Sequence, residues 1–263
     1  MRENRLRQMW QEGGAVLNGW LHIANSYAAE MMAHEGWDSL TIDMQHGPVG
    51  FESAITMLQA ISTTNTVPLA RVPWNEPGDI MRMLDVGCYG IICPMINSRA
   101  ECEAFVGACR YPPHGYRSFG PNRARIYGGS DYGSKANETV VAMAMIETAD
   151  AMKNLDEILS TPGLDAIYIG PADLSQGLGG PPGSDFTEPP VSEAIERMLA
   201  GCRHHGVVAG IHTGSIQYAT QMIDKGFQFV TVLSDLRLMT LKAAEVVTAI
   251  KGHKSAQGQS GPY

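Results

Sequence analysis

Eight short apolar runs, most of them rich in β-branched residues, recur along the chain with a helix-forming segment after each. The runs are VLNGWL (16–21), SLTID (39–43), VPLAR (67–71), GIICPM (90–95), VAMAMIE (141–147), AIYIG (166–170), VVAGIH (207–212) and FVTVL (229–233). Segments such as SYAAEMMAHEG, FESAITMLQAIS, SRAECEAFVGACR, DAMKNLDEILS and VSEAIERMLAGCRHHG lie between them and carry apolar residues at helical spacing. Neighbouring parallel strands need a crossover connection, and a helix supplies it. Eight strands alternating with eight helices predict a (β/α)8 TIM barrel, with a doubly wound open sheet as the alternative.

Local signals agree with this alternation. Gly36, Gly87, Gly206 and Gly226 fall where a helix needs a left-handed residue to end, and Ser98, Ser215 and Asp235 suit N-caps. A chain of 263 residues, 44% hydrophobic, fits a single barrel, predicted over residues 1–250. The polar, low-complexity tail, 251–263, is expected to be disordered. One connection breaks the rhythm. Residues 111–139 form a long Pro/Gly/Tyr-rich segment, and loops of that length usually work as lids or binding loops, so it is expected near the barrel mouth.

The net charge of −8, without any cluster of Lys and Arg, argues against a nucleic-acid surface, which needs concentrated positive charge. No run approaches the length of a membrane span, and MRENRLRQMWQEGG lacks the apolar core of a signal peptide, so a cytoplasmic enzyme of small molecules is expected. Cys88, Cys93, Cys102, Cys109 and Cys202 follow no CxxC pattern and read as small buried hydrophobes.

In a parallel barrel the C-terminal strand ends share one face, where catalytic groups gather. The candidate residues sit at those ends: Asp43 and His46 after strand two, Arg71 after strand three, Glu147 after strand five and Asp173 after strand six. Two carboxylates on consecutive strands suit a hard divalent cation such as Mg²⁺ or Mn²⁺. In GPADLS, the N–H groups of Ala172 and Asp173 open the next helix and can face an anion. Arg71 carries a permanent charge suited to a developing oxyanion. His46 is the expected general base, with Asp43 three positions before it. His212 is a weaker candidate on the same face, Met145 shares an inward face with Glu147, and Trp20 is a possible apolar contact. His22, His34, His114, His204, His205 and His253 are read as ordinary histidines.

The segments IDMQHGP, RVPWNEP, LDVG with CPMI, RYPPHGYRS, MIET, AMKNLDEIL and IGPADLS, in that order, resemble the HpcH/HpaI family of metal-dependent class II pyruvate aldolases over about residues 14–250. The resemblance implies a (β/α)8 barrel assembled as a homohexamer, a trimer of dimers that exchange their last helix. It implies reversible cleavage of 4-hydroxy-2-oxo acids to pyruvate or hydroxypyruvate and an aldehyde through a metal-bound enolate, with Mg²⁺, Mn²⁺ or Co²⁺ as the ion. Glu147 and Asp173 would hold the metal, Arg71 would stabilise the enolate, His46 would exchange the proton, and Ala172 with Asp173 would bind the pyruvate carboxylate. The family also assigns the LDVG carboxylate, here Asp85, to raising the basicity of the histidine. The strand and helix order places Asp85 at the end of a helix, from which it could reach His46 only across a subunit interface. Asp43 is the intrachain alternative. Two departures bear on the substrate: Met145 stands where the family often has Gln, and Gln45 where many members carry Glu.

No predicted strand closes on a Lys, which disfavours a Schiff base. Two other readings stay open at the level of sequence. One is a condensing or decarboxylating enzyme that uses oxaloacetate on the same site; the other is a non-catalytic metabolite-binding barrel.

Overall fold

A computed structural model describes residues 1–251. Its eight strands are β1 (Val16–Leu21), β2 (Ser39–Asp43), β3 (Val67–Arg71), β4 (Gly90–Cys93), β5 (Val141–Ile146), β6 (Ala166–Ile169), β7 (Val208–Thr213) and β8 (Phe229–Val232). They pair in sequence order, all in parallel, and β8 closes on β1. The expected TIM barrel is therefore present, and the open sheet is not.

Strand alternation divides the core in two. Odd positions of β5 (Val141, Met143, Met145) join Leu69, Tyr168 and Phe229 inside the barrel, whereas Ala142, Ala144 and Ile146 pack outward against the helices. The interior also holds a polar layer with its hydrogen bonds satisfied. Asn18 accepts from Ser39 Oγ at 2.8 Å and Thr41 Oγ1 at 3.0 Å, and donates to Thr231 Oγ1 at 2.9 Å. Above this layer the inward positions become Trp20, Asp43, Arg71, Met145, Tyr168 and His212, at the C-terminal end of the barrel.

The helices are α1 (Arg5–Gln11), α2 (Ser26–Ala33), α3 (Phe51–Ile61), α4 (Pro77–Asp85), α5 (Arg99–Cys109), α6 (Asn122–Gly128) and α7 (Tyr132–Thr139) in the first half. The second half adds α8 (Ala149–Lys153), α9 (Leu155–Leu159), α10 (Pro171–Gly177), α11 (Val191–His205), α12 (Ile216–Lys225) and α13 (Asp235–Lys251). Ser98 caps α5 through a full capping box, and Ser215 caps α12. Asp235 does not cap α13 in the expected way: Ser234 Oγ accepts the Arg237 amide, and the Asp235 carboxylate turns to the β1–α2 loop. The single helix expected over DAMKNLDEILS is split into α8 and α9 at Asn154, whose amide nitrogen donates to the Asn97 carbonyl at 2.7 Å.

The 111–139 connection is not a loop at the mouth. It leads from α5 into the start of β5, which places it at the N-terminal end of the barrel, and it contains α6 and α7. There it packs with the N-terminal segment: Asn4 Nδ2 donates to the Thr139 carbonyl at 2.9 Å, and the Met1 ammonium meets Asp131 at 2.8 Å. Tyr89, Tyr111 and Tyr132 fill the space beneath the interior. Asp165, just before β6, ties this floor together. It accepts from Arg7 at 2.7 Å, from Arg110 at 2.6 Å and from the Ala142 amide at 2.8 Å.

All five cysteines are buried and free. No described helix is long and apolar enough to cross a membrane. The expected tail lies outside the described residues except for Lys251, which closes α13. Along α13 only Asp235 is buried, and Leu236, Leu238, Met239, Leu241, Val246, Val247 and Ile250 are exposed.

Removing the shared acceptor of the buried Arg110 and the half-buried Arg7 leaves uncompensated charge. Asp165→Ala is expected to lower unfolding stability by about 3 kcal/mol in denaturant titration. A loss below about 1 kcal/mol would show that Arg7 and Arg110 are solvated without it.

Candidate functional site

The inward-facing groups at the C-terminal strand ends form a small cleft. It is lined by Trp20, Arg71, Met145, Glu147, Tyr168 and His212 with the 170–173 turn and Gly183–Ser184. Wider clefts open on the floor around Arg7 and Asp165, but the charges there are directed at each other.

Arg71 ends β3 opposite Asp43 at the end of β2, and the two are direct partners in the strand register. The pairing is bidentate, with Nε to Oδ1 at 2.8 Å and Nη2 to Oδ2 at 2.6 Å. Arg71 also lines the cleft. Burial alone would raise the Asp43 carboxyl, but bonds from His22 and Arg71, and their charges, outweigh it and hold the group far below the usual carboxylate range. Burial likewise opposes the charge on Arg71, and Asp43 more than restores it. The Trp20 indole stacks on Tyr168 with ring centres 5.5 Å apart, and the guanidinium carbon lies 4.8 Å from the Trp20 ring centre.

Glu147, one residue beyond β5, is 2% exposed. Its Oε1 accepts the Met95 amide at 2.8 Å. Burial pushes its carboxyl up to about 7; the Met95 bond opposes that shift and the negative charge of Asp173 adds to it. Asp173 lies in the first turn of α10, and its neighbour Ala172 also lines the cleft. A side chain at Gly170 would run into Glu147 Oε2 and come within 3.1 Å of Met145 Cε. That glycine keeps the space before the carboxylate open.

These observations fit a divalent cation. Two carboxylates face one confined cleft, one of them is held against ionisation by burial and its neighbour, and room is left beside Oε2. Among the described residues no group of three His, Cys, Asp or Glu is placed to hold an ion, so the chain would offer two oxygen ligands and leave the remaining positions to water and ligand.

His212 lines the cleft, and its Nδ1 lies 2.9 Å from the Tyr168 hydroxyl. Burial first, then the charge of Arg71, pushes its imidazole down to about 3, so it is neutral at physiological pH. His46 is exposed at the rim, three residues after β2. Its pKa is lowered by burial and Arg71, with the charges of Asp43 and Asp173 pulling upward. Asp43 reaches His46 through the backbone amide, at 3.5 Å, and spends its carboxylate on Arg71 and His22. Asp85 ends α4 and accepts from Arg117 Nη2 at 2.7 Å; it does not line the cleft. Gln45 keeps its side-chain oxygen buried without a hydrogen-bond partner.

The sequence reading took His22 for an ordinary histidine and passed over Tyr168 and Ser184. His22 follows β1 as His46 follows β2, so the same strand-end signal marks it. Tyr168 shares inward parity with Met145 across the register.

Residues 17–240 match the family model for HpcH/HpaI aldolase/citrate lyase. A hydroxypyruvate/pyruvate aldolase of Rhizorhabdus wittichii is 43% identical over 244 residues, covering 93% of this chain and 97% of the relative. A 4-hydroxy-2-oxo-heptane-1,7-dioate aldolase of Escherichia coli is 36% identical over 266 residues, covering 99% of this chain and all of the relative. Among solved structures, an HpcH/HpaI aldolase/citrate lyase family protein from Burkholderia cenocepacia superposes with a TM-score of 0.88 at 31% identity, covering 94% of this chain and 99% of that one.

Gly170→Ala forces the new methyl group against Glu147 and Met145. The variant is expected to lose about 1–3 kcal/mol of stability, the usual cost of overpacking, and to show a displaced Glu147 carboxylate in a crystal structure. Wild-type stability with Glu147 unmoved would mean that the cleft has slack.

Proposed function

Because the chain belongs to the HpcH/HpaI aldolase/citrate lyase family, we propose that its cleft cleaves 4-hydroxy-2-oxo acids, reversibly, to pyruvate or hydroxypyruvate and an aldehyde, with a divalent cation on Glu147 and Asp173. The enzyme is a carbon–carbon lyase of the pyruvate-aldolase type. The observation that carries the assignment of residues is the meeting of one buried, oriented guanidinium and two carboxylates in a single cleft.

The ion, Mg²⁺, Mn²⁺ or Co²⁺, would act as a Lewis acid toward the 2-oxo acid. The amides of Ala172 and Asp173 hold the substrate carboxylate at the start of α10. His46, at the rim, takes the proton from the 4-hydroxyl, directly or through a water. The hydroxyl oxygen becomes the aldehyde carbonyl as the C3–C4 bond breaks; its pair forms the C2–C3 double bond and the C2 carbonyl pair moves onto oxygen as an enolate. Arg71 would stabilise that oxygen, and the enolate takes at C3 the proton that His46 removed, which gives pyruvate or hydroxypyruvate and restores the base. Neutral His212 contacts the aldehyde portion and does not act as the base. Met145 supplies an apolar wall where an amide would discriminate among hydroxylated substrates, which favours broad acceptance of short aldehydes.

The reading includes a cytoplasmic homohexamer built as a trimer of dimers that exchange α13. The exposed apolar residues of that helix support it, since such a face is seldom left in water. Asp85 would serve His46 from a neighbouring chain.

Chelation with EDTA is expected to abolish aldol cleavage of a pyruvate-derived 4-hydroxy-2-oxo acid, and added Mg²⁺, Mn²⁺ or Co²⁺ to restore it. Full turnover in a rigorously metal-free preparation would end the metal-dependent reading.

The two histidines separate by substrate. His46→Ala is expected to suppress cleavage of every substrate by about 10²-fold or more, in the range for losing a general base. His212→Ala should instead change the ranking within a panel of aldehydes and leave pyruvate α-proton exchange near wild type. The reverse pattern would exchange their roles.

A further inference from the structure

We infer that His22 is a positioning residue for Arg71, acting through Asp43, and that Asp235 at the head of α13 holds His22 in place. The inference rests on the aldolase reading only in its activity arm.

Arg71 ends its strand with a long side chain that has several rotatable bonds, so its aim depends on what grips the guanidinium. Asp43 is the grip, and a carboxylate can rotate about its own bond unless donors fix both oxygens. Oδ1 takes the Gln45 amide at 3.0 Å besides Arg71 Nε. Oδ2 takes His22 Nε2 at 2.8 Å and Trp20 Nε1 at 3.2 Å besides Arg71 Nη2. Of the two side chains other than Arg71 that bond Oδ2, His22 is the nearer. An ionised carboxylate only accepts, so His22 must carry its proton on Nε2.

His22 is itself held from behind. Asp235, 5% exposed, accepts the His22 amide on Oδ1 at 2.8 Å and the Ile23 amide on Oδ2 at 3.1 Å. The carboxylate of α13 thus fixes the turn from which the imidazole reaches Asp43. The line runs Asp235, His22, Asp43, Arg71, and every member is 6% exposed or less.

The test compares His22→Gln with His22→Asn, with His22→Ala alongside. Gln can place its amide nitrogen near the position of Nε2 and keep the bond to Asp43, whereas Asn, of similar polarity, ends too short. The first readout is a set of crystal structures of the metal-free variants. Arg71 is expected to keep both bonds to Asp43 in the Gln variant and to lose at least one in the Asn and Ala variants. The second readout is steady-state aldol cleavage. His22→Asn and His22→Ala should lower kcat by on the order of tenfold with KM changed less than about threefold, and His22→Gln should stay within about threefold of wild type.

Equal behaviour of Gln and Asn, with the Arg71 fork unmoved, would overturn the inference. Should Asn or Ala fail to fold, the Gln structure decides: a lost Arg71–Asp43 fork there would overturn the inference equally. A wild-type protein without aldolase activity would sink the functional reading alone, since the position of Arg71 in the metal-free structures is read independently.

Discussion

Arg71 carries a full positive charge to a position only 5% exposed, and the organisation of the barrel mouth follows from how that charge is held. An unpaired buried guanidinium would cost several kcal/mol, so the chain must supply a carboxylate with matching geometry. The strand register places it: Asp43 and Arg71 face each other as the last residues of β2 and β3. Asp43 is fully buried in turn and needs donors of its own. It recruits His22 and Trp20 from the end of β1 and the amides of the β2–α3 connection. One buried charge therefore ties three strand ends together.

Asp43 takes the bidentate bonds of Arg71, and the charge of Arg71 reaches Glu147 only as the last of the influences on its carboxyl. The charge of Asp173 bears on Glu147, where burial already penalises the ionised form. The proposed divalent cation would offset that charge, which neutral His212 cannot do. The proposed metal site and the oriented Arg71 would both follow from one distribution of charge. The acid that neutralises the guanidinium is separate from the acids suited to the ion, so binding the ion need not release Arg71.

Much of this was legible in the chain. Eight apolar runs alternating with helical segments announced the barrel, and polar residues at or after the ends of several runs marked Arg71, Glu147 and the GPADLS turn, because every such end must face the same way. Two-residue alternation carried Met145 inward with Glu147. Partner choice was not legible. Asp43 lies three residues before His46 in sequence, yet its carboxylate turns sideways to the neighbouring strand, since hydrogen bonds across a sheet follow register and not sequence distance. His22 carried the same strand-end signal as His46 but had no acid nearby in sequence to draw attention to it. The 111–139 segment was misplaced for a related reason. Its composition suggested a binding loop, while its place between a helix and the next strand assigns it to the floor, where α6 and α7 pack under the interior.

Helix α13 shows where the logic of strand and helix stops being sufficient. Its sequence follows β8 as every other helix follows its strand, but its apolar residues stay in water and only its first residue is buried. A helix of 17 residues with that face uncovered gains little from packing on its own chain, and packing supplies most of the stability of helices in proteins. Asp235 nevertheless anchors its head firmly to the turn after β1. Anchorage at the first residue with an uncovered body is compatible with the proposed exchange of α13 between copies. The fixed end is also the end that touches His22. Whatever covers the body of α13 would thus have a route to the aim of Arg71 through Asp235, a carboxylate that bonds the turn after β1 within its own chain.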